Sequence, residues 1–320
     1  MNGTDLGETI RVTFTLAAGD GSEEAFQKLA HGISARRPRT EVRWEAGAGA
    51  SSVAVDLPEG RKLRWEMVPD QAMEAPFFAF WDPGGAALDL DGPTKGVLAD
   101  LRRPPQLVIY GARWCAASAE MVRLASRCLL ARPGTGVTVV DVERLSRDGI
   151  PPGIEAVPVT FIGAEARLYG SLSEAELAAG LAAWSRNLGP DHTLAQMLKQ
   201  KKQREALALL RARVLPVSAL ARAAGDPLHF ELRLGALVLL SEVGRHDRAL
   251  AAEATPWLCA RLRDPSPHIR GDVLLALAEV GDLRALPSVE SLLDDADADV
   301  REAAVEAAER IRRSNLWGRY

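Results

Sequence analysis

The chain has 320 residues, too many for one ordinary domain, and a 47% hydrophobic fraction large enough for several cores. Its 39 Lys and Arg are set against 43 Asp and Glu, a formal charge of -4, so neither a nucleic-acid footprint nor attraction to an anionic membrane is expected. The start, MNGTDLGETIRV, lacks the basic and apolar pattern of a signal peptide, and no apolar run approaches the ~18 to 20 residues of a membrane span.

The first predicted element is a strand over Ile10 to Leu16 (IRVTFTL), followed by an amphipathic helix from about Ser22 (SEEAFQKLAHGI). VAVDLPEGRKLRWEMV then reads as a hairpin with Leu57-Pro58-Glu59-Gly60 at its turn. Ala75-Pro76-Phe77-Phe78-Ala79-Phe80 reads as an X-Pro strand, and about Thr94 to Leu101 as a helix. The order then repeats: strand Leu107 to Tyr110, helix ASAEMVRLASRCLL, X-Pro strand Val157-Pro158-Val159-Thr160-Phe161-Ile162, and helix Ser173 to Trp184. Ser173 and Glu176 form an S-x-x-E capping box at the last helix. Aligning Phe26 with Met121 gives an offset of 95 and the two X-Pro strands an offset of 82, which makes the hairpin an insertion in the first copy.

After Leu188-Gly189-Pro190, Ala/Leu-rich helical periodicity runs to the end. Leu232-Arg233 with Glu242-Val243-Gly244 matches Ile269-Arg270 with Glu279-Val280-Gly281 at offset 37, and Ile269-Arg270 matches Val300-Arg301 at offset 31. This pattern resembles short HEAT repeats of the bilin-lyase-like kind over about residues 226 to 313, whose helix pairs bury their apolar stripes by stacking. Residues 191 to 225 are expected to form a leading helix and cap.

Gly111-Ala112-Arg113-Trp114-Cys115-Ala116-Ala117-Ser118 follows a strand and opens a helix, where free N–H groups and the helix dipole favour a thiolate. The motif resembles the W-C-x-x-C of the thioredoxin superfamily with Ser118 in place of the second cysteine, and Val157-Pro158 stands where that family has its cis-proline loop. The resemblance implies Cys115, Ser118 and Pro158 as reactive-site residues and Trp114 and Val157 as the substrate-binding frame; Ser118 reads either as a hydrogen-bond donor to the thiolate or as an ordinary exposed first-turn serine. Ile109 occupies the place of thioredoxin's buried Asp. At the corresponding point the first copy has Asp20, so it carries no thiol. A cysteine-free unit before an active one resembles the tandem glutaredoxin-like protein disulfide oxidoreductases and the N-terminal domain of the alkyl hydroperoxide reductase flavoprotein.

The expected fold is therefore α/β plus all-α: a degenerate thioredoxin-like unit (1–103), a thioredoxin-like unit with the W-C-x-x-S motif (104–190) and a HEAT-repeat α-solenoid (191–320). Three cysteines, Cys115, Cys128 and Cys259, are no disulfide framework, and a cytoplasmic, reducing compartment fits them. Cys128 lies 128 − 115 = 13 residues along one helix, about 20 Å away, beyond the ~7 Å reach of a disulfide; it and Cys259 read as core residues. His31, His192, His229, His246 and His268 form no ligand spacing, so no metal and no cofactor are expected. Asp294, Asp295, Asp297 and Asp299 read as helix-capping turn residues, Lys199, Lys201, Lys202 and Arg204 as a solvated face, and Trp317 and Tyr320 as closing the last repeat. The implied function is monothiol thiol-disulfide exchange with a protein partner bearing a cysteine or disulfide, recruited by the HEAT repeats. The alternative is a non-catalytic adaptor on the same scaffolds. Cys-x-x-Ser is also the pattern that replacing a resolving cysteine would leave.

Overall fold

The computed structural model describes residues 10–19, 21–47, 50–79, 81, 89–164 and 166–316. The chain divides into two units, Met1–Gly189 and Pro190–Tyr320.

The first unit is one eight-stranded mixed sheet with flanking helices, in the order β2-β1-β3-β4-β6-β5-β7-β8. Strand β1 (Arg11–Ala17) alternates, burying Val12 and Phe14. Helix α1 (Glu23–Arg36) lays Phe26, Leu29 and Ile33 on one stripe against that face, with Glu23 and Glu24 at its positive end. Strand β2 (Glu41–Gly47) returns parallel to β1. Strands β3 (Ser52–Asp56) and β4 (Lys62–Glu66) form the expected hairpin around Pro58–Gly60, where Glu59 and Gly60 take left-handed φ values of 59° and 71°. After α2 (Glu74–Ala79) and α3 (Gly92–Asp100) come β5 (Gln106–Gly111), α4 (Ala116–Ala131), β6 (Gly136–Asp141), β7 (Val159–Ile162), β8 (Ala166–Tyr169) and α5 (Glu174–Ser185). The capping box holds: Ser173 Oγ accepts the Glu176 N–H, and Glu176 accepts the Ser173 N–H.

The two halves repeat each other strand for strand. Strand β5 is parallel to β6 and antiparallel to β7, and β7 to β8; likewise β1 is parallel to β2 and antiparallel to β3, and β3 to β4. This strand–helix–strand, hairpin order is thioredoxin-like. It corrects the alignment of the halves. The first hairpin is the counterpart of β7–β8, not an insertion, and of the expected X-Pro strand, Ala75–Ala79 is helical. Pro76 lies in the first turn of α2, where its missing N–H costs no hydrogen bond, and Phe77 is buried against Trp65. Phe80 lies outside the described residues. The halves differ in the segment before the hairpin: residues 48–51 in the first, residues 142–158 with Val157-Pro158 in the second.

The second unit runs through α6 (Gly189–Lys199), α7 (Gln203–Arg211), α8 (Val217–Ala224), α9 (Phe230–His246), α10 (Arg248–Ala252), α11 (Thr255–Arg261), α12 (Pro267–Val280), α13 (Leu286–Glu290) and α14 (Ala298–Leu316). The leading segment is thus three helices, not one helix and a cap. Its amphipathic pattern is broken twice, by Lys201 and Arg213, both in the left-handed region.

The repeated arginine has one physical role in all three repeats. Arg233, Arg270 and Arg301 each donate an Nη1–H back to the carbonyl of an aspartate in the preceding turn: Asp226 at 2.9 Å, Asp264 at 2.9 Å and Asp295 at 2.7 Å. Two of them also bind a carboxylate of the next repeat, Arg233 to Asp272 at 2.7 Å and Arg270 to Asp295 at 2.9 and 2.7 Å. Hydrogen bonds from Arg270 hold the Asp295 carboxyl below its usual range. Asp295 and Asp297 accept backbone N–H groups of their own turn, the capping role expected of the aspartate cluster.

Helix α12 ends on Gly281 at φ 69°, with its N–H bonded to the Leu277 carbonyl at 3.0 Å. A Cβ there would stand 3.3 Å from Ser314. Gly281→Ala is therefore expected to lower stability by about 1 to 2 kcal/mol, measured by urea unfolding of the full chain. An unchanged midpoint would contradict this account of the helix end.

Candidate functional site

Strand β5 delivers Gly111 and the buried Ala112 to a tight turn, and Cys115 is the N-cap of α4. The cysteine backbone is extended at φ −87° and ψ 109°, and its N–H donates to the Ala112 carbonyl at 3.1 Å. Sγ is half-buried and accepts the Ser118 N–H at 3.4 Å. Its other neighbour is the Val157 carbonyl oxygen, 3.9 Å away, to which the thiol donates. One sulfur thus sits between a donor that suits a thiolate and an acceptor that suits a thiol.

Val157-Pro158 is a cis peptide. Val157 is half-buried and Pro158 buried, and the Pro158 carbonyl accepts the Gly170 N–H at 2.9 Å. Trp114 is 63% exposed, and its indole Nε1–H donates to Glu143 Oε1 at 3.1 Å, so it lies on the surface beside Cys115. Cys115, Trp114, Val157 and Pro158 are brought together. Ser118 joins them differently from expectation. Its backbone N–H, not its hydroxyl, meets the sulfur; the side chain is wholly buried, and Oγ has no hydrogen-bond partner among the described residues. A Cβ at Gly111 would come within 3.1 Å of Ser118 Cβ and Oγ, so β5 packs closely there.

Three further residues shape the site. Arg113 Nη1 donates to Asp70 Oδ2 at 3.1 Å, and its Nε stands 3.3 Å from Asp141 Oδ2. Asp141, at the end of β6, is wholly buried, and burial pushes its carboxyl up, opposed by the Glu143 N–H and by Arg113. Sequence reading missed this group because 43 and 28 residues separate Arg113 from Asp70 (113 − 70) and Asp141 (141 − 113).

The other thiols are placed elsewhere. Cys128 is buried within α4, and burial pushes its thiol up to about 12. Cys259 is only half-buried, not a core residue; burial raises it and a hydrogen bond with Ser288 opposes the rise. Among the described residues no group of three or more His, Cys, Asp and Glu could hold a metal ion, and no helix is long and apolar enough to cross a membrane. In the basic stretch Lys202 pairs with Glu205 at 3.2 Å, while Lys199, Lys201 and Arg204 are exposed. Asp20, Trp317 and Tyr320 lie outside the described residues.

A family profile for HEAT repeats matches residues 229–309. No curated protein matches the chain. Among solved structures it is similar to the alkylhydroperoxide reductase protein AhpF of Enterococcus faecalis, at 16% identity and a TM-score of 0.47, over 55% of this chain and 91% of that one. It is also similar to a protein disulfide oxidoreductase from Aeropyrum pernix, at 14% identity and a TM-score of 0.45, over 57% of this chain and 89% of that one. By its strand order the sheet unit is a thioredoxin-like fold, and the helical unit carries HEAT repeats.

Proposed function

We propose that the protein is a monothiol thiol-disulfide exchange protein acting on a cysteine or disulfide of a partner protein in a reducing compartment such as the cytoplasm. One observation carries the reading: a half-buried sulfur capping a 16-residue helix, bonded to the Ser118 N–H and 3.9 Å from the Val157 carbonyl. A thiolate there attacks one sulfur of the partner's disulfide; a bond forms between that sulfur and Cys115 Sγ, and the other sulfur leaves as a thiolate. With Ser118 three residues on, the resolving position of the motif carries no thiol. A second thiol, free or on another protein, must attack the Cys115 sulfur and release the partner. The exposed Trp114 supplies apolar surface beside the sulfur, and residues 157–158 supply a rim for the incoming chain.

Recruitment is assigned to the HEAT repeats, because Phe230, Leu234 and Val238 form an exposed apolar stripe along α9 at helical spacing. Linking two weak contacts raises avidity by about 10² to 10⁴ where both can engage.

The test is non-reducing capture of partner proteins by the full chain and by Cys115→Ser. Thiol-sensitive adducts are expected with the first and not with the second. Identical capture by both would replace the exchange reading with a non-catalytic adaptor.

A further inference from the structure

We propose that Arg113 is the positioning residue of the Cys115 thiol, and that the cysteine-free half of the sheet unit serves the thiol site through it. The proposal rests on the exchange reading for its purpose, but its geometry stands alone. Arg113 lies two residues before Cys115, in the turn that must aim the sulfur at the Ser118 N–H.

That turn is held from two sides. From the first half, Asp70 Oδ2 accepts the Arg113 guanidinium at 3.1 Å, and the Ala72 N–H donates to the Arg113 carbonyl at 3.0 Å. Met73, buried next in line, would touch a Cβ at Gly111 at 3.5 Å. From the other side, Asp141 Oδ2 stands 3.3 Å from Arg113 Nε. Asp141 Oδ1 accepts the Glu143 N–H at 3.1 Å, and the Glu143 carboxylate accepts the Trp114 indole at 3.1 Å. Both residues preceding Cys115 are therefore anchored by side chain to segments far off in sequence.

The physical need follows from the sulfur's own contact. At 3.4 Å from the Ser118 nitrogen, a small rotation of the turn loses the hydrogen bond that favours the thiolate. Shifts of about 1 Å in a reacting group cost up to about 10²-fold in rate. The guanidinium suits this task because its planar fork reaches two carboxylates at once, which a lysine ammonium does not match. Asp141 makes the arrangement sensitive to charge. It is wholly buried, and its Oδ2 has no hydrogen-bond partner among the described residues, so the Arg113 charge compensates it directly. Glu143 and Arg144 are the other charged groups acting on it. Without Arg113 a buried carboxylate is left poorly compensated and takes up a proton. The first half thus has a task at the thiol site although β1 and α1 bear no cysteine.

The experiment uses the full chain and Arg113→Gln, Arg113→Lys and Asp70→Asn, each checked for its fold by circular dichroism. Two quantities are read: the iodoacetamide reaction of Cys115 from pH 6 to 9, and amide hydrogen exchange over residues 70–73 and 111–118. Arg113→Gln is expected to slow the reaction at pH 7 about tenfold and to move its profile to higher pH, with faster exchange at Ala72. Arg113→Lys should recover part of the rate, and Asp70→Asn should shift both readouts in the same direction by less. A folded Arg113→Gln with an unchanged profile and unchanged exchange overturns the proposal. Should Arg113→Gln not fold, unchanged readouts in Asp70→Asn overturn it instead. If wild-type Cys115 reacts no faster than an ordinary free thiol, the exchange reading falls, and hydrogen exchange alone still decides whether Arg113 holds the turn.

Discussion

Native protein exposed to iodoacetamide at pH 8 is expected to lose Cys115 quickly and to keep Cys128 almost intact. The expectation is quantitative because only the thiolate reacts. A Cys128 thiol held at about 12 by burial has a thiolate fraction of about one in 10⁴ at pH 8. Burial inside α4 adds a steric barrier, so Cys128 should follow global or local opening of the unit. Its reaction should therefore speed up with added denaturant below the unfolding midpoint, because opening exposes the thiol and removes the burial that holds its pKa up. Cys259, half-buried and raised in the same direction, is expected to fall between the two. Peptide-level mass spectrometry against time separates the three sites. Equal rates at all three would remove the reason for singling out Cys115.

The second large effect is expected from Ser118→Cys, which should turn a protein that accumulates mixed disulfides into one that releases its partner. Position 118 is close enough: its backbone nitrogen is 3.4 Å from Cys115 Sγ, at the i,i+3 spacing of a helix start. A thiol there attacks the Cys115 sulfur of the mixed disulfide, forms a bond between residues 115 and 118, and expels the partner's thiolate. Because the attack is intramolecular, its effective concentration exceeds that of free thiols in solution, and the mixed disulfide should decay at least about 10² times faster. The substitution also suits the packing. Ser118 Oγ is buried without a hydrogen-bond partner among the described residues, and a thiol is less costly there than an unsatisfied hydroxyl. Stopped exchange with a model protein disulfide, followed on non-reducing gels, checks the prediction. Rapid release by the Ser118 protein without added thiol would mean that another resolving group exists.

Much of this was legible in the sequence where one local rule decided the matter. Ser173 and Glu176 fixed a helix start through two reciprocal hydrogen bonds, and Pro58-Glu59-Gly60 fixed a turn through left-handed φ values. The recurring aliphatic-Arg pair marked the helical repeats because each arginine closes the same bond to the turn before it. Cys115 and Val157-Pro158 were visible as a motif, and their approach to 3.9 Å follows from β5 and β7 being neighbours. Ala75–Ala79 reads as a strand but is helical because an unbroken apolar run has no period to separate strand from helix, and a proline in a first helical turn looks the same as one at a strand start. The Arg113, Asp70 and Asp141 cluster could not be read at all. Charged residues are common, and it takes the pairing of β6 with β5 on one side and with β4 on the other to bring these three together.

That pairing also bears on how the sheet unit can be divided, by gene fusion or by proteolysis. Strands β4 and β6 run parallel from Lys62 opposite Gly136 to Glu66 opposite Val140, in the middle of the eight strands. A cut between the halves near residue 103 would turn one continuous sheet with two margins into two sheets with four. The new margins would be poor ones. Strand β6 offers Val137, Val139 and Val140, all buried, and β4 offers Leu63 and Trp65, also buried, with ladder N–H and C=O groups left open. Apolar strands with free ladder groups recruit other copies of themselves. Each half made separately is therefore expected to be more prone to aggregate than the intact unit, which light scattering of the two halves against the whole checks.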